Sequence, residues 1–524
     1  MTALEILYHR FRGRSWAGSF AITMPEHLRG SLLHQRADEL GVKAFFYDEN
    51  SILEKPLSLR QQRWGLEDDT GCETLVGAPL SAAAEQMKWT EFVLIPCENL
   101  LVEPNAVSES LTLFYREGLE ICFSAERQTG ANWIVFKTEV VKALMLNHED
   151  IMWARGGLAW AIRKPLYPFN QGNYHCPRIR PRISCDLRLN SKRNRQMYDR
   201  VFTQDFASPD FSYENWLSES AWEKYYLEPG PSQINVEPSA LCQAQCFACP
   251  KNELKRKGGL MPFATFKQLF EGLNEPEECR FVFSGIGEPL LNPALTDMIS
   301  YSARSSSMLI TSLQRNFPDN FSFSGLDQIR LSVDALESKG FEQKRPGCSW
   351  KNIESFISFA SSRKCENPDE FPEVGVSLVK HGLNAKDALA FINYWKKVTT
   401  PVFNEWFFRW PFDTASDKIE WFQILGENSF LNKLNKTSEI DFTPVRRRPC
   451  RHALLSVNIF WDGRVSFCPF DVDATAVIGN VNETSLGEIW NSDHARELRD
   501  THLNLREEKM PEICARCQDW YHGI

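Results

Sequence analysis

The segment that most constrains this chain is Cys242-Gln-Ala-Gln-Cys246-Phe-Ala-Cys249, closed by Pro250. A β-type run, Gln233 to Glu237, feeds directly into it, and Pro238 precedes it. Cysteines spaced by four and then three residues also fall on one helix face, so a cysteine stripe on a core helix is one reading. The polar Gln243 and Gln245, the bracketing prolines and the incoming strand point to a loop instead. A two-cysteine redox pair leaves the third cysteine unexplained. Zinc asks for a fourth ligand, and the loop has none. Three thiolates suit a 4Fe-4S cluster with one iron left open, because thiolates are the usual ligands of such clusters.

The chain has 15 cysteines in 524 residues. Cys72, Cys97, Cys122, Cys176, Cys185, Cys279, Cys348 and Cys365 are scattered singly and read as small buried hydrophobes. Cys450, Cys468, Cys514 and Cys517 form a second group. Asp462-Gly463 is a predicted hairpin turn between Asn458–Trp461 and Arg464–Cys468, which would bring Cys450 and Cys468 together. The terminal Cys-x-x-Cys adds two thiolates. By count and spacing, four thiolates hold zinc as readily as a cluster. His452, His494 and His522 lie near these cysteines in sequence and read as surface or supporting histidines.

The net charge of −9 argues against a broad nucleic-acid-binding face. No stretch is long and apolar enough to span a bilayer, and MTALEILYHRFRGR lacks the pattern of a secretory signal. A cytoplasmic protein is expected, in which clustered cysteines signify metals or redox chemistry and not structural disulfides.

Three parts emerge along the chain. In the first, Phe92–Pro96 and Asn132–Phe136 read as strands and Ala106–Gly118 as an amphipathic helix, an α/β pattern. Asp205–Ser232, polar and aromatic with Pro and Gly, reads as a boundary. From Gln233 the alternation resumes. Strands are expected at Gln233–Glu237, Arg280–Gly285, Met308–Ser312, Gln328–Asp334, Glu373–Val379 and Trp406–Trp410. Helices are expected at Phe263–Leu273, Trp350–Ser362 and Ala385–Val398. Six strands with crossovers imply a parallel sheet or a partial β/α barrel, with function on the loops at the strands' C-terminal ends. The final part, small and cysteine-bearing, needs a metal staple.

These residues carry a resemblance. Cys-x3-Cys-x2-Cys after a first strand, with Phe247 after the middle cysteine, resembles the radical S-adenosylmethionine (SAM) superfamily. Phe283–Pro293 (FSGIGEPLLNP) is similar to its second-strand motif, Leu331–Ala335 (LSVDA) to its fourth-strand motif, and Lys344–Gly347 (KRPG) to its Arg-Gly turn. Cys450-x12-Gly463-x4-Cys468, then IGNV, SLGEIW and Cys514-x2-Cys517, resembles a short SPASM domain. The resemblance implies that Cys242, Cys246 and Cys249 hold a 4Fe-4S cluster whose open iron takes SAM. One electron then cleaves SAM to methionine and a 5'-deoxyadenosyl radical, which abstracts hydrogen from the substrate. It further implies Phe247 near the adenine, Gly285, Gly287 and Glu288 around the SAM amino group, and Ser332 toward the ribose or carboxylate. Cys450, Cys468, Cys514 and Cys517 would hold one auxiliary 4Fe-4S cluster.

The first third resembles cytidylyltransferase-like nucleotidyltransferases in degenerate form. Glu98 or Asn99 stands near their metal-binding Asp, and Phe11–Gly18 matches their nucleotide loop poorly. The whole resembles the spiro-SPASM group. Expected domains are a Rossmann-like nucleotidyltransferase-type domain (1–204), a linker (205–228), a radical SAM core built as a partial (β/α)6 TIM barrel (229–436) and a SPASM domain (437–524). The expected substrate is a peptide or protein, with a sugar- or nucleotide-linked molecule second, and the expected electron donor is a flavodoxin or ferredoxin. A rival reading is a zinc or iron–sulfur scaffold protein without catalysis.

Overall fold

The computed structural model describes residues 2–47, 77–124, 130–147, 169–174, 185, 187–202, 204–246, 249–366, 371–377, 390–391, 394–395, 447, 449–515 and 517. The predicted strand at 406–410, most of the predicted helix at 385–398, Phe247, Cys72, Cys176 and His522 lie outside these residues. The chain forms two compact units, Met1–Tyr226 and Leu227–Ile524.

In the first unit β1 (Ala21–Pro25) and β2 (Lys43–Tyr47) pair in parallel. A separate sheet holds β3 (Glu91–Leu94), β4 (Ile121–Phe123), β5 (Ile134–Lys137) and β6 (Gln171–Asn173) in the order β3-β5-β4-β6. β5 runs antiparallel to both neighbours, so this sheet is mixed and departs from an all-parallel Rossmann unit. The connection between β4 and β5 is shorter than the dozen or more residues a parallel crossover needs. The helix predicted at 106–118 runs from Pro104 to Arg116, with Pro104 at its first turn, where its missing N–H costs nothing.

The stretch expected as a linker is largely helical. Tyr213–Glu219 and Trp222–Leu227 are helices, and Trp216 stacks on Trp222 at 5.7 Å with both rings buried. Burying one such ring stabilises by about 1.5–3 kcal/mol, which explains why an aromatic-rich segment packs down.

The second unit is built on one eight-stranded sheet. Its strands are β7 (Gln233–Val236), β8 (Arg280–Phe283), β9 (Ser306–Thr311), β10 (Gln328–Ser332), β11 (Glu373–Ser377), β12 (Ser456–Ile459), β13 (Arg464–Ser466) and β14 (Val477–Asn480), ordered β11-β10-β9-β8-β7-β12-β13-β14. β7 to β11 are parallel and lie side by side in chain order. Ile234, Val236, Phe281, Phe283, Leu309, Ile329 and Leu331 pack in one core with Phe266 and Phe270 of the Phe263–Glu271 helix and Ile353 of the Trp350–Glu366 helix. Alternate positions, among them Gln233, Asn235, Arg280, Ser306, Gln328 and Arg330, point to the opposite face by the period-2 rule. Parallel strands packed by apolar layers on both faces read as continuous apolar runs; here the second face is largely polar.

The cysteine-bearing C-terminal segment shares this sheet. β12 pairs in parallel with β7, Ser456 beside Gln233, and β13 and β14 continue antiparallel. The predicted Asp462-Gly463 hairpin forms between β12 and β13. Gly463 has φ +86°, and a Cβ there would meet the Asn482 side chain at 2.2 Å. The Trp490 indole closes the unit by donating to the Leu227 carbonyl at 2.7 Å.

Candidate functional site

The loop carrying Cys242, Cys246 and Cys249 leaves the C-terminal end of β7. Among its described residues, 241–246 and 249, there is no helix, so Cys242 and Cys246 stand on a loop and not on a core helix. All three are half-buried. The loop is pinned from within by Lys251, whose Nζ donates to the carbonyls of Cys242 (2.5 Å) and Ala244 (3.1 Å). Pro346 holds it from outside, accepting the Gln245 N–H at 2.8 Å.

The GIGEP turn after β8 lies directly against this loop. Gly287 is required by close approach, since a Cβ would stand 2.0 Å from the Ser239 carbonyl oxygen. Gly285 has φ +140°, which disfavours any side chain, and its Cβ would meet Glu237 at 2.7 Å. Glu288 is buried, and its carboxylate is taken up by its own chain. It accepts from the Thr311 hydroxyl (2.6 Å), the Ser312 N–H (3.0 Å) and hydroxyl (2.8 Å), and the Leu290 N–H (3.1 Å). Glu288 thus ties the glycine turn to the end of β9. Ser332 ends β10 and is half-buried.

Two further loops reach the cysteines. After β9, the Gln314 Nε2 donates to Cys242 Sγ at 2.8 Å while its Oε1 accepts the Gln243 N–H at 3.0 Å. After β10, Asp334 pairs with Arg345, whose Nε donates to it at 2.6 Å and whose Nη1 lies 3.8 Å from Cys246 Sγ. Cys348 lies beside Cys246, and this neighbouring thiol, and after it the Arg345 charge, holds the Cys246 thiol below its ordinary pKa. Cys246 in turn pushes Cys348 up, with burial adding to the effect. Burial raises Cys249. The sequence offered little sign of this. Cys348 reads as an isolated packing cysteine, and its one clue is its place beside the KRPG turn.

The second group also comes together. Cys450, Cys468 and Cys514 share a buried cluster with Phe467, Leu498 and Met510. Burial lifts Cys468 well above its usual range, followed by the charges of Cys450, Cys514 and Cys517. Cys514 is pushed up to about 12 by burial and then by Cys450 and Cys517. Cys468 thus lies within electrostatic reach of the other three thiols. The Cys517 N–H donates to the Cys514 carbonyl at 3.2 Å, and Arg447 donates to the same carbonyl at 2.7 Å. Asp471 braces the turn after Cys468 by accepting from Ser466, Thr475 and Ala476. His452 is buried against Phe470, and His494 is exposed. Sequence reading passed over His502, which is buried beside Phe467 with neither ring nitrogen hydrogen-bonded.

Among the described residues, no three His, Cys, Asp or Glu side chains converge tightly enough to hold a single metal ion. Both sets offer thiols alone, the donor type that iron–sulfur clusters take.

In the first unit Asn99 is buried and spends its side-chain N–H₂ on the Asn132 carbonyl at 2.9 Å, while Glu98 is exposed.

Residues 450–518 match the SPASM family, an iron–sulfur cluster-binding domain. The match takes in all four cysteines of the second group, Cys450, Cys468, Cys514 and Cys517. An uncharacterised protein of Treponema pallidum (strain Nichols) is 32% identical over 81 residues, 16% of this chain and 21% of that protein. The chain thus spans about a fifth of the length of this curated relative. Among solved structures, BtrN in complex with AdoMet and 2-DOIA aligns at 17% identity, TM-score 0.34, over 56% of this chain and 97% of BtrN. Streptococcus suis SuiB bound to the precursor peptide SuiA aligns at 11% identity, TM-score 0.37, over 72% of this chain and 90% of SuiB. A cytidylyltransferase from Leptospira borgpetersenii serovar Hardjo-bovis (strain JB197) aligns at 14% identity, TM-score 0.33, over 42% of this chain and 82% of that one. No helix among the described residues is long and apolar enough to cross a membrane.

Proposed function

We propose that this chain is a radical SAM enzyme with two 4Fe-4S clusters, one on Cys242, Cys246 and Cys249 and one on Cys450, Cys468, Cys514 and Cys517. The observation that carries the reading is the three-thiol loop at the end of β7 with the GIGEP turn packed against it, Gly287 on Ser239. A cluster bound there with one open iron supplies the electron that cleaves the sulfonium C–S bond of SAM. The chain's own part is placement. Gly285 and Gly287 let the turn close on Glu237 and Ser239, and the turn would offer backbone groups to the SAM amino group. Glu288 fixes that turn through Thr311 and Ser312. Ser332 would bind the ribose or carboxylate side of SAM, and the residue type at 247 suits an adenine. Cys450, Cys468, Cys514 and Cys517 would hold the auxiliary cluster, which would supply electron relay or a wall of the substrate cavity.

A peptide or protein is the first substrate class to test, given the SPASM domain, and a sugar- or nucleotide-linked molecule the second, given the first unit. A flavodoxin or ferredoxin supplies electrons in the cytoplasm, the core sheet is a partial barrel, and no nucleic acid is involved. Anaerobic reconstitution tests the reading: the loaded chain with SAM and a reductant should release 5'-deoxyadenosine. A colourless chain that binds only zinc and leaves SAM intact overturns it.

A further inference from the structure

The loops after β9 and β10 lie far from the cysteine loop in sequence, yet both direct donors at its sulfurs. Gln314 is held so that only one orientation of its amide works. The Gln243 N–H can only donate, so the amide oxygen must face it, and the NH₂ then falls on Cys242 Sγ at 2.8 Å. The backbone beneath Gln314 is fixed as well. Leu313 is left-handed at φ +51°, its N–H donates to Thr311 Oγ1 at 3.0 Å, and its carbonyl accepts from Asn352 at 2.9 Å.

We propose that Gln314 is a positioning residue that donates a hydrogen bond to the Cys242 sulfur of the first cluster and raises its reduction potential. This rests on the functional reading above. Reduction adds one negative charge to the cluster and its thiolates. A donor on a ligand sulfur stabilises that added charge, so hydrogen bonds to sulfur are among the main determinants of such potentials. The donor is locked by the fold and needs no reorganisation when the electron arrives.

The test is an anaerobic redox titration of the reconstituted full chain, followed by electron paramagnetic resonance. The signal that changes on adding SAM identifies the first cluster. At the wild-type midpoint potential, Gln314→Leu should lower the reduced-to-oxidised ratio about tenfold, a shift of about 59 mV for one electron. Gln314→Glu keeps an acceptor for the Gln243 N–H but replaces the donor to sulfur with a second acceptor, and should shift the midpoint in the same direction, which a purely structural role would not produce. Coincident midpoints in Gln314→Leu, Gln314→Glu and wild type overturn the proposal. If Gln314→Leu fails to load iron, Gln314→Glu decides, and an unshifted midpoint there overturns it. Wild-type chain with no SAM-responsive signal overturns the functional reading and this inference with it. Unshifted variants of a chain that cleaves SAM overturn the inference alone.

Discussion

Glu237 and Arg256 form a buried two-point ion pair, with Nη1 and Nη2 at 2.8 and 2.5 Å from the two carboxylate oxygens and both side chains 3% exposed. Glu237 directly follows β7, lies against Gly285 of the glycine turn and accepts the Trp461 N–H after β12 at 3.4 Å. Arg256 reaches the Val472 carbonyl and lies over the Phe460 ring, and Asp473 accepts the N–H groups of Lys255 and Arg256. One pair therefore joins the strand before the cysteine loop, the turn beside it and the SPASM segment. Arg256→Met leaves a buried carboxylate uncompensated and should cost about 3–5 kcal/mol. Chemical denaturation checks this, and adding Glu237→Gln to the variant should recover part of the loss.

Gly287→Ala places a methyl group on the Ser239 carbonyl, which is backbone and cannot swing aside. The expected cost is about 1–3 kcal/mol of overpacking. The cysteine loop should shift with it, so SAM affinity, read by calorimetry, should fall while the auxiliary cluster keeps its iron.

His502 gives the SPASM segment an acid-sensitive point. Burial, and then the Arg447 charge, pushes it down to about 4, against about 6.5 in an unfolded chain. Between those values the unfolded chain binds a proton that the fold excludes. Its contribution is complete above pH about 6.5 and is lost as pH falls to about 4. His502→Phe removes the titrating group beside Phe467. The drop in unfolding midpoint between pH 7 and pH 5 should therefore be smaller in the variant than in wild type.

Cys468→Ala removes a buried member of the second thiol group. Iron and sulfide should fall to about half of wild type if each site holds one 4Fe-4S cluster, with the SAM-responsive signal retained. Unchanged iron would remove Cys468 from the ligand set.

The parallel strands β7 to β11 and the β12–β13 hairpin were legible because period-2 apolar runs ending in Gly, Pro or Asp-Gly are local signals. The cysteine loop was legible because ligand spacing is local too. What joins the loop to its surroundings was not. Gln314, Cys348 and Arg256 act across loops far apart in the chain, and each is an unremarkable polar or small residue where it stands. Glu288 reads from its motif as a group for SAM, yet the structure shows its carboxylate engaged by Thr311, Ser312 and Leu290. The mixed pairing of β3 to β6 was hidden because alternation reveals faces and not strand direction.

The central claim is that the three thiols of the β7 loop hold the cluster that acts on SAM. The most direct measurement is 5'-deoxyadenosine release by the anaerobically reconstituted chain and by Cys246→Ala, each with SAM and reductant, alongside iron content. Wild type should form 5'-deoxyadenosine, while the variant should form none and keep about half its iron on the auxiliary group. Equal cleavage by both proteins would contradict the assignment.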